Sequence, residues 1–151
     1  IVFISSSTES LPLAEVVANN LRYVADTVIW DEGPFHLSQG SLSALDEAAD
    51  RVDFAVVLLT PDDVVTKRGQ TYPAARDNTL FELGFFMGRL GIDHVFMIYD
   101  RGSGLLLPSN LAGITAATYA ARPDGDLEAA LGPPSTQVVQ AIRRELAGGA
   151  P

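Results

Sequence analysis

Phe54-Ala-Val-Val-Leu-Leu59 is an unbroken apolar run, bounded by Asp53 and by Thr60-Pro61, and its length suits a strand rather than a helix. A strand with no polar residue on either side of its pleat must be covered on both faces, as the central strand of a parallel sheet is. Working outward, Ile1-Val-Phe-Ile4 reads as the first strand and Thr27-Val-Ile-Trp30 as the second. His94-Val-Phe-Met-Ile-Tyr99 reads as a fourth, and Ile114 to Ala120 as a fifth. Between them apolar residues recur at helical spacing: Leu13, Val16, Val17 and Leu21 with Ser10 as cap, then Leu42, Leu45, Ala49 and Val52, and last Val138, Val139, Ile142 and Leu146.

Strands that alternate with helices imply right-handed crossovers and an α/β fold with helices on both faces of the sheet. The expectation is a flavodoxin-like, five-stranded parallel sheet of order 2-1-3-4-5. Thr60 to Asp77 reads as a loop or partly helical excursion, Arg101-Gly-Ser-Gly104 as a turn, Leu107 to Gly113 as a short turn or helix, and Arg122 to Pro134 as loop. In such sheets ligands bind beyond the carboxyl ends of the strands where the order reverses, here between strands one and three. That edge gathers Ser5 to Glu9, Trp30 to Phe35, Thr60 to Asp63 and the start of the helix that follows.

That helix is Arg76-Asp-Asn-Thr-Leu-Phe-Glu-Leu-Gly-Phe-Phe-Met-Gly-Arg-Leu-Gly91. At about 100° per residue its apolar side chains cover most of the circumference, while Asn78, Glu82 and Arg89 share a sector about 40° wide. A helix so apolar must be buried, and the polar stripe is expected to line a seam or cleft. Gly84 and Gly88, one turn apart, are expected to admit a close neighbouring backbone. Glu82 has two readings. Thr79-Leu-Phe-Glu82 matches a capping box, in which Thr and Glu satisfy each other's free backbone N–H groups. If Asp77 or Asn78 caps the helix instead, Glu82 lies deeper, beyond the reach of capping.

Composition narrows the class. The 151 residues fit one domain, expected over 1–147, and 47% hydrophobic content suffices for a full core. Residues 148–151 open a Gly-Ala-Pro segment that reads as the start of a linker, with a further module expected after Pro151. A formal charge of −9 with ten scattered basic residues disfavours direct nucleic-acid contact. There is no cysteine for a disulfide or thiolate metal site. No apolar run reaches the length of a membrane span, and nothing resembles a signal peptide, so a cytoplasmic location is expected.

Dinucleotide-redox, P-loop and nucleophile-elbow motifs are all missing. With only His36 and His94, metal sites and triads have little to draw on, and His94 reads as structural. Asp62-Asp63 reads as a solvated turn. One carboxylate in a cleft with hydroxyls and aromatics suits cleavage of an N-glycosidic bond whose leaving group is already cationic, and nicotinamide in NAD is such a group. It departs neutral and needs no general acid, unlike the leaving groups of ordinary glycosidases. A buried anion then stabilises the oxocarbenium-like ribosyl centre.

Val2-Phe-Ile-Ser-Ser-Ser7, Val28-Ile-Trp-Asp-Glu-Gly33 with Phe35, Asp53 to Val57, Pro61-Asp-Asp63, Arg76-Asp-Asn-Thr-Leu-Phe-Glu-Leu-Gly84 and Pro108-Ser-Asn-Leu-Ala-Gly113 together resemble bacterial TIR-like domains. The most similar group is the effector domain of cyclic-oligonucleotide anti-phage systems of the TIR-STING and TIR-SAVED types. The likeness spans Val2 to about Ala120. It implies a TIR fold and NAD+ glycohydrolase activity that depletes NAD during infection, with NAD+ as substrate and no separate cofactor or metal. It places Glu82 at the catalytic position, with Ser5, Ser6, Ser7 and Thr8, Trp30, Phe35, Arg76 and Asn78 around the substrate. It also implies self-association through TIR domains and a cyclic-oligonucleotide sensor in the parent chain. Thr79-Leu80 departs from the Val-Ile expected there, which touches packing alone.

Each of these residues also has a structural reading. Trp30 can cap the sheet edge, Phe35 anchor a loop, one or more serines satisfy local backbone groups, and Arg76 pair with Asp77 or Asp63 on the surface. Two rival functions stand beside the first: a nucleoside deoxyribosyltransferase, which also uses a Glu beside glycine on a helix, and a non-enzymatic TIR adaptor.

Overall fold

The computed structural model describes residues 1–31, 41–107, 111 and 114–148. Five strands form one parallel sheet: β1 (Val2–Ser6), β2 (Thr27–Asp31), β3 (Phe54–Leu59), β6 (Val95–Asp100) and β7 (Thr115–Tyr119). Their order is β2-β1-β3-β6-β7, parallel throughout. Counted among themselves, these strands have the expected order 2-1-3-4-5.

The helices are α1 (Leu11–Leu21), α2 (Ser41–Arg51), α3 (Asp77–Leu90) and α4 (Leu127–Gly148), with a 3-10 turn at Ile92–His94. Because side chains alternate across a strand, the sheet divides the core in two. Val2, Ile4, Val56, Leu58, Phe96 and Ile98 pack with α1 and α4 residues such as Leu21, Leu131 and Ile142. Phe3, Ala55, Val57, Leu59, Val95 and Met97 pack with Leu45 and Ala49 of α2 and Leu83 and Phe86 of α3. All six residues of β3 are buried, as its position between two cores requires.

Several expectations are corrected. The first strand runs on to Ser6, so Ser5 and Ser6 belong to the sheet rather than to the following loop. The excursion after β3 is an antiparallel hairpin, β4 (Asp63–Lys67) and β5 (Gln70–Ala74). The segment expected to be loop up to Pro134 is helical from Leu127, and α4 carries Pro133 and Pro134 within it. An internal proline costs about 3 kcal/mol, but here the buried stripe Ala130, Leu131, Pro134, Val138, Ala141 and Ile142 holds the helix on the sheet. Asp126 caps its start by accepting the Ala129 N–H at 3.1 Å. A Cβ added at Gly84 or Gly88 would meet nothing within 4 Å, so no backbone approaches these glycines among the described residues. Gly148 still belongs to α4, while positions 149–151, most of Leu107 to Gly113, and the Phe35 loop lie outside the described residues.

No helix among the described residues is long and apolar enough to cross a membrane. His94 is structural, as expected. Its ring stacks on Phe54 at 4.6 Å and its Nδ1 lies 2.9 Å from the Asp53 carbonyl.

Candidate active site

Phe86 rests on Phe3, with ring centroids 4.6 Å apart. Two residues further along β1 is Ser5, and one turn back along α3 is Glu82. Two strand residues advance about 6.6 Å and four helical residues about 6 Å, so the helix runs antiparallel to the strand and brings Glu82 over Ser5. The Ser5 hydroxyl donates a hydrogen bond to Glu82 Oε2. Both residues are buried, Ser5 fully and Glu82 to 6% exposure. In register with Ser5 on the neighbouring strand is Trp30. Parallel-register partners share a face, and Trp30 accordingly packs on Phe3 at 5.5 Å.

The capping-box reading of Glu82 is overturned by the helix boundary. Arg76 occupies the cap position with extended backbone and Asp77 is the first helical residue, so Glu82 lies in the second turn, where the backbone N–H groups are already bonded within the helix. Neither Asp77 nor Asn78 is the cap; Asp77 instead accepts the Asn78 N–H at 2.9 Å. A carboxylate taken out of water at the carboxyl edge of the sheet is costly unless it is bonded, and a strand-one hydroxyl is what bonds it. Ser5→Ala removes a hydrogen bond to a charged group, worth about 1.5–3 kcal/mol. The catalytic role proposed below predicts that this variant stays folded and loses about tenfold or more in turnover, checked by steady-state kinetics beside thermal melting.

A family model described as the TIR domain of CAP12/Pycsar effector proteins matches residues 1–121. The chain belongs to that family. It is 41% identical over 139 residues to the Pycsar effector protein PaPycTIR of Pseudomonas aeruginosa, covering 91% of this chain and 45% of the relative. It is 40% identical over 136 residues to BcPycTIR of Burkholderia cepacia, covering 89% and 45%. To the CD-NTase-associated protein 12 of Flavobacterium daejeonense it is 36% identical over 118 residues, covering 78% and 37%. The chain therefore spans less than half the length of these relatives. The TIR resemblance carried by the strand-one serines and by Arg76 to Gly84 is borne out.

Within this TIR domain the anticipated residues separate. Ser5, Trp30 and Glu82 share one face of the sheet edge. Ser6 points to the opposite face, where its buried Oγ has no hydrogen-bond partner among the described residues. Ser7 serves local structure, since its hydroxyl lies 2.9 Å from that of Ser10 and its N–H donates to Ser10 Oγ at 3.0 Å. Thr8 is exposed and Asn78 half-buried at the first turn of α3. Arg76 pairs neither with Asp77 nor with Asp63 but with Glu9, at 2.5 Å. That partly exposed pair contributes little to stability, but it ties the start of α3 to the loop after β1. Phe35 lies outside the described residues.

Glu9 is the participant that residue-type reasoning passed over, because one more surface acid beside a serine run carries no signal. Arg89, placed in the polar stripe with Glu82, bonds instead to Asp46 and Asp50 of α2 and so braces the two helices away from the edge. Thr60 donates to Asp62 at 2.5 Å, and the described residues contain no cluster of metal-ligating side chains. A separate hollow of about 440 Å³ opens between β7 and α4, lined by Arg101, Tyr119, Arg122 and Pro133. Burial, and then the charge of Asp100, raise the Tyr119 hydroxyl above its ordinary pKa, so it stays a protonated donor far from Glu82.

Proposed function

We propose that this TIR domain cleaves the nicotinamide–ribose bond of NAD+, giving nicotinamide and ADP-ribose. The observation that carries the reading is the buried Ser5–Glu82 pair at the switch-point edge. Ser5 donates to one carboxylate oxygen and so fixes the direction in which the group faces the edge. As the bond to the pyridinium nitrogen breaks, its electron pair stays with nicotinamide, which leaves neutral, and positive charge appears on the ribose. Glu82 stabilises that charge because it is fixed beforehand in a water-poor setting. Water then adds to the anomeric carbon and gives up a proton. Thr8, Trp30, Phe35, Arg76 and Asn78 are proposed to line the substrate, with Trp30 and Phe35 offering apolar surface to its rings and Ser6 and Ser7 shaping the turn behind Ser5.

The relatives are named Pycsar effector protein and CD-NTase-associated protein 12, which supports a role in anti-phage defence in which NAD is consumed once a cyclic nucleotide is sensed. The sensor is proposed to follow Pro151 in the parent chain, and the domain is proposed to act in the cytoplasm, assembled with other copies of itself. The test compares NAD+ with deoxynucleosides as substrates over a range of protein concentrations. Nicotinamide release whose specific rate rises with protein concentration is expected, with deoxynucleosides left intact. Cleavage of deoxynucleosides in preference to NAD+ would transfer the site to the transferase reading. No cleavage of either, by an assembled chain, would leave the adaptor reading.

A further inference from the structure

The β4–β5 hairpin leaves the sheet at the foot of the candidate site, between Thr60–Asp62 and Arg76. Among the described residues its ten residues pair only with each other, and no helix packs extensively on them. At their root Pro73 accepts the Leu106 N–H at 2.8 Å. Every residue of β4 is exposed, with Val64 at 71%. The cross-strand pairs Val65 with Tyr72 and Val64 with Pro73 put apolar groups on both faces. A lone two-stranded hairpin is at best marginally stable in water, and one with apolar groups on both faces has surface to give to a partner.

The tip carries the charge. Lys67, the sole lysine of the chain, precedes the two-residue turn Arg68-Gly69, and both turn residues have positive φ, 51° and 77°. Such turns match strand twist and favour Asn-Gly; a long side chain in the left-handed region is disfavoured. Arg68 is the one non-glycine residue in that region among those described. Neither Lys67 nor Arg68 forms an ion pair with the described residues. A local cost is thus accepted to hold two adjacent cations at the end of an exposed arm, in a chain whose formal charge is −9. That surplus of acid lies on every copy of the chain, for example at the exposed Glu15, Glu47 and Glu128.

We infer that the hairpin is an assembly arm, whose cationic tip docks on an acidic surface of a second copy of this chain and whose apolar faces are covered there. The arm joins the chain between β3 and α3, the two elements that border the candidate edge, so a docked copy would lie next to that edge. This deepens the assembly-dependent activity proposed above and rests on it, but its readout is mass in solution, measured without nucleotide, so each can fail alone.

The test is analytical ultracentrifugation from low to high micromolar chain, with Lys67→Gln and Arg68→Asn combined. Asn accepts positive φ, so the turn survives and circular dichroism and melting should not change. Concentration-dependent association is expected, weakened by added salt, and the double variant should raise its dissociation constant about tenfold or more. In a mixture of isotopically light and heavy chains, a carbodiimide, which condenses an amine with a touching carboxylate, should join Lys67 to an acid of the other copy. A chain that stays monomeric, association undiminished in the double variant, or association seen only when NAD+ is added would overturn the assignment.

Discussion

Glu82→Gln is expected to leave the chain folded and to lower NAD+ turnover about 100-fold or more. The amide fills the space of the carboxylate, and its oxygen still accepts from Ser5, so packing and the hydrogen bond in the structure survive while the charge is lost. Melting should be unchanged or slightly higher, because a neutral amide is cheaper to bury than an anion at 6% exposure. Position decides the interpretation. At the end of a capping box Gln would serve as well as Glu, but Glu82 lies in the second turn of a helix that begins at Asp77. Loss of turnover with retained melting therefore reports chemistry, measured by steady-state kinetics and calorimetry on the same sample.

Phe86→Ala should be the most destabilising substitution of α3, by about 3–5 kcal/mol. Its ring is fully buried, lies on Phe3 at 4.6 Å and meets the ring of Phe85 edge-on at 5.5 Å. A cavity there removes the contact that sets the height of α3 over β1, so Glu82 loses its alignment with Ser5 as well. Whole domains are stable by about 5–15 kcal/mol, so the variant should fold but unfold at a much lower urea midpoint. Phe81→Ala, on the same helix but 55% exposed, should shift the midpoint little. Similar midpoints for the two would contradict this packing.

The parallel sheet was legible because β3 is apolar without interruption and because helical spacing recurs between strands. The hairpin was missed because its alternation is weak and its residues are exposed, so no hydrophobic period marks them. The available signal was a run of β-branched residues, Val64, Val65 and Thr66, answered by Thr71 and Tyr72 across Arg68-Gly69. The helical start of α4 was hidden by Gly132-Pro133-Pro134, where tertiary burial overrides local propensity. Glu82 stood out as an acid on an apolar helix. Among the three serines, which one faces it depends on where β1 ends, and that was not legible: one residue of register exchanges the faces of Ser5 and Ser6. The two glycines of α3 suggested a close neighbour that the described residues do not supply.

The central claim is that the buried Ser5–Glu82 edge breaks the glycosidic bond of NAD+ and no other. Product balance measures it most directly: the chain is incubated with NAD+ at high concentration and every product is quantified by chromatography. The account predicts nicotinamide in one-to-one ratio with the NAD+ consumed, the remainder recovered as ADP-ribose, linear or cyclic. Nicotinamide mononucleotide and AMP in its place, or intact NAD+ in the presence of assembled, folded chain, would contradict it.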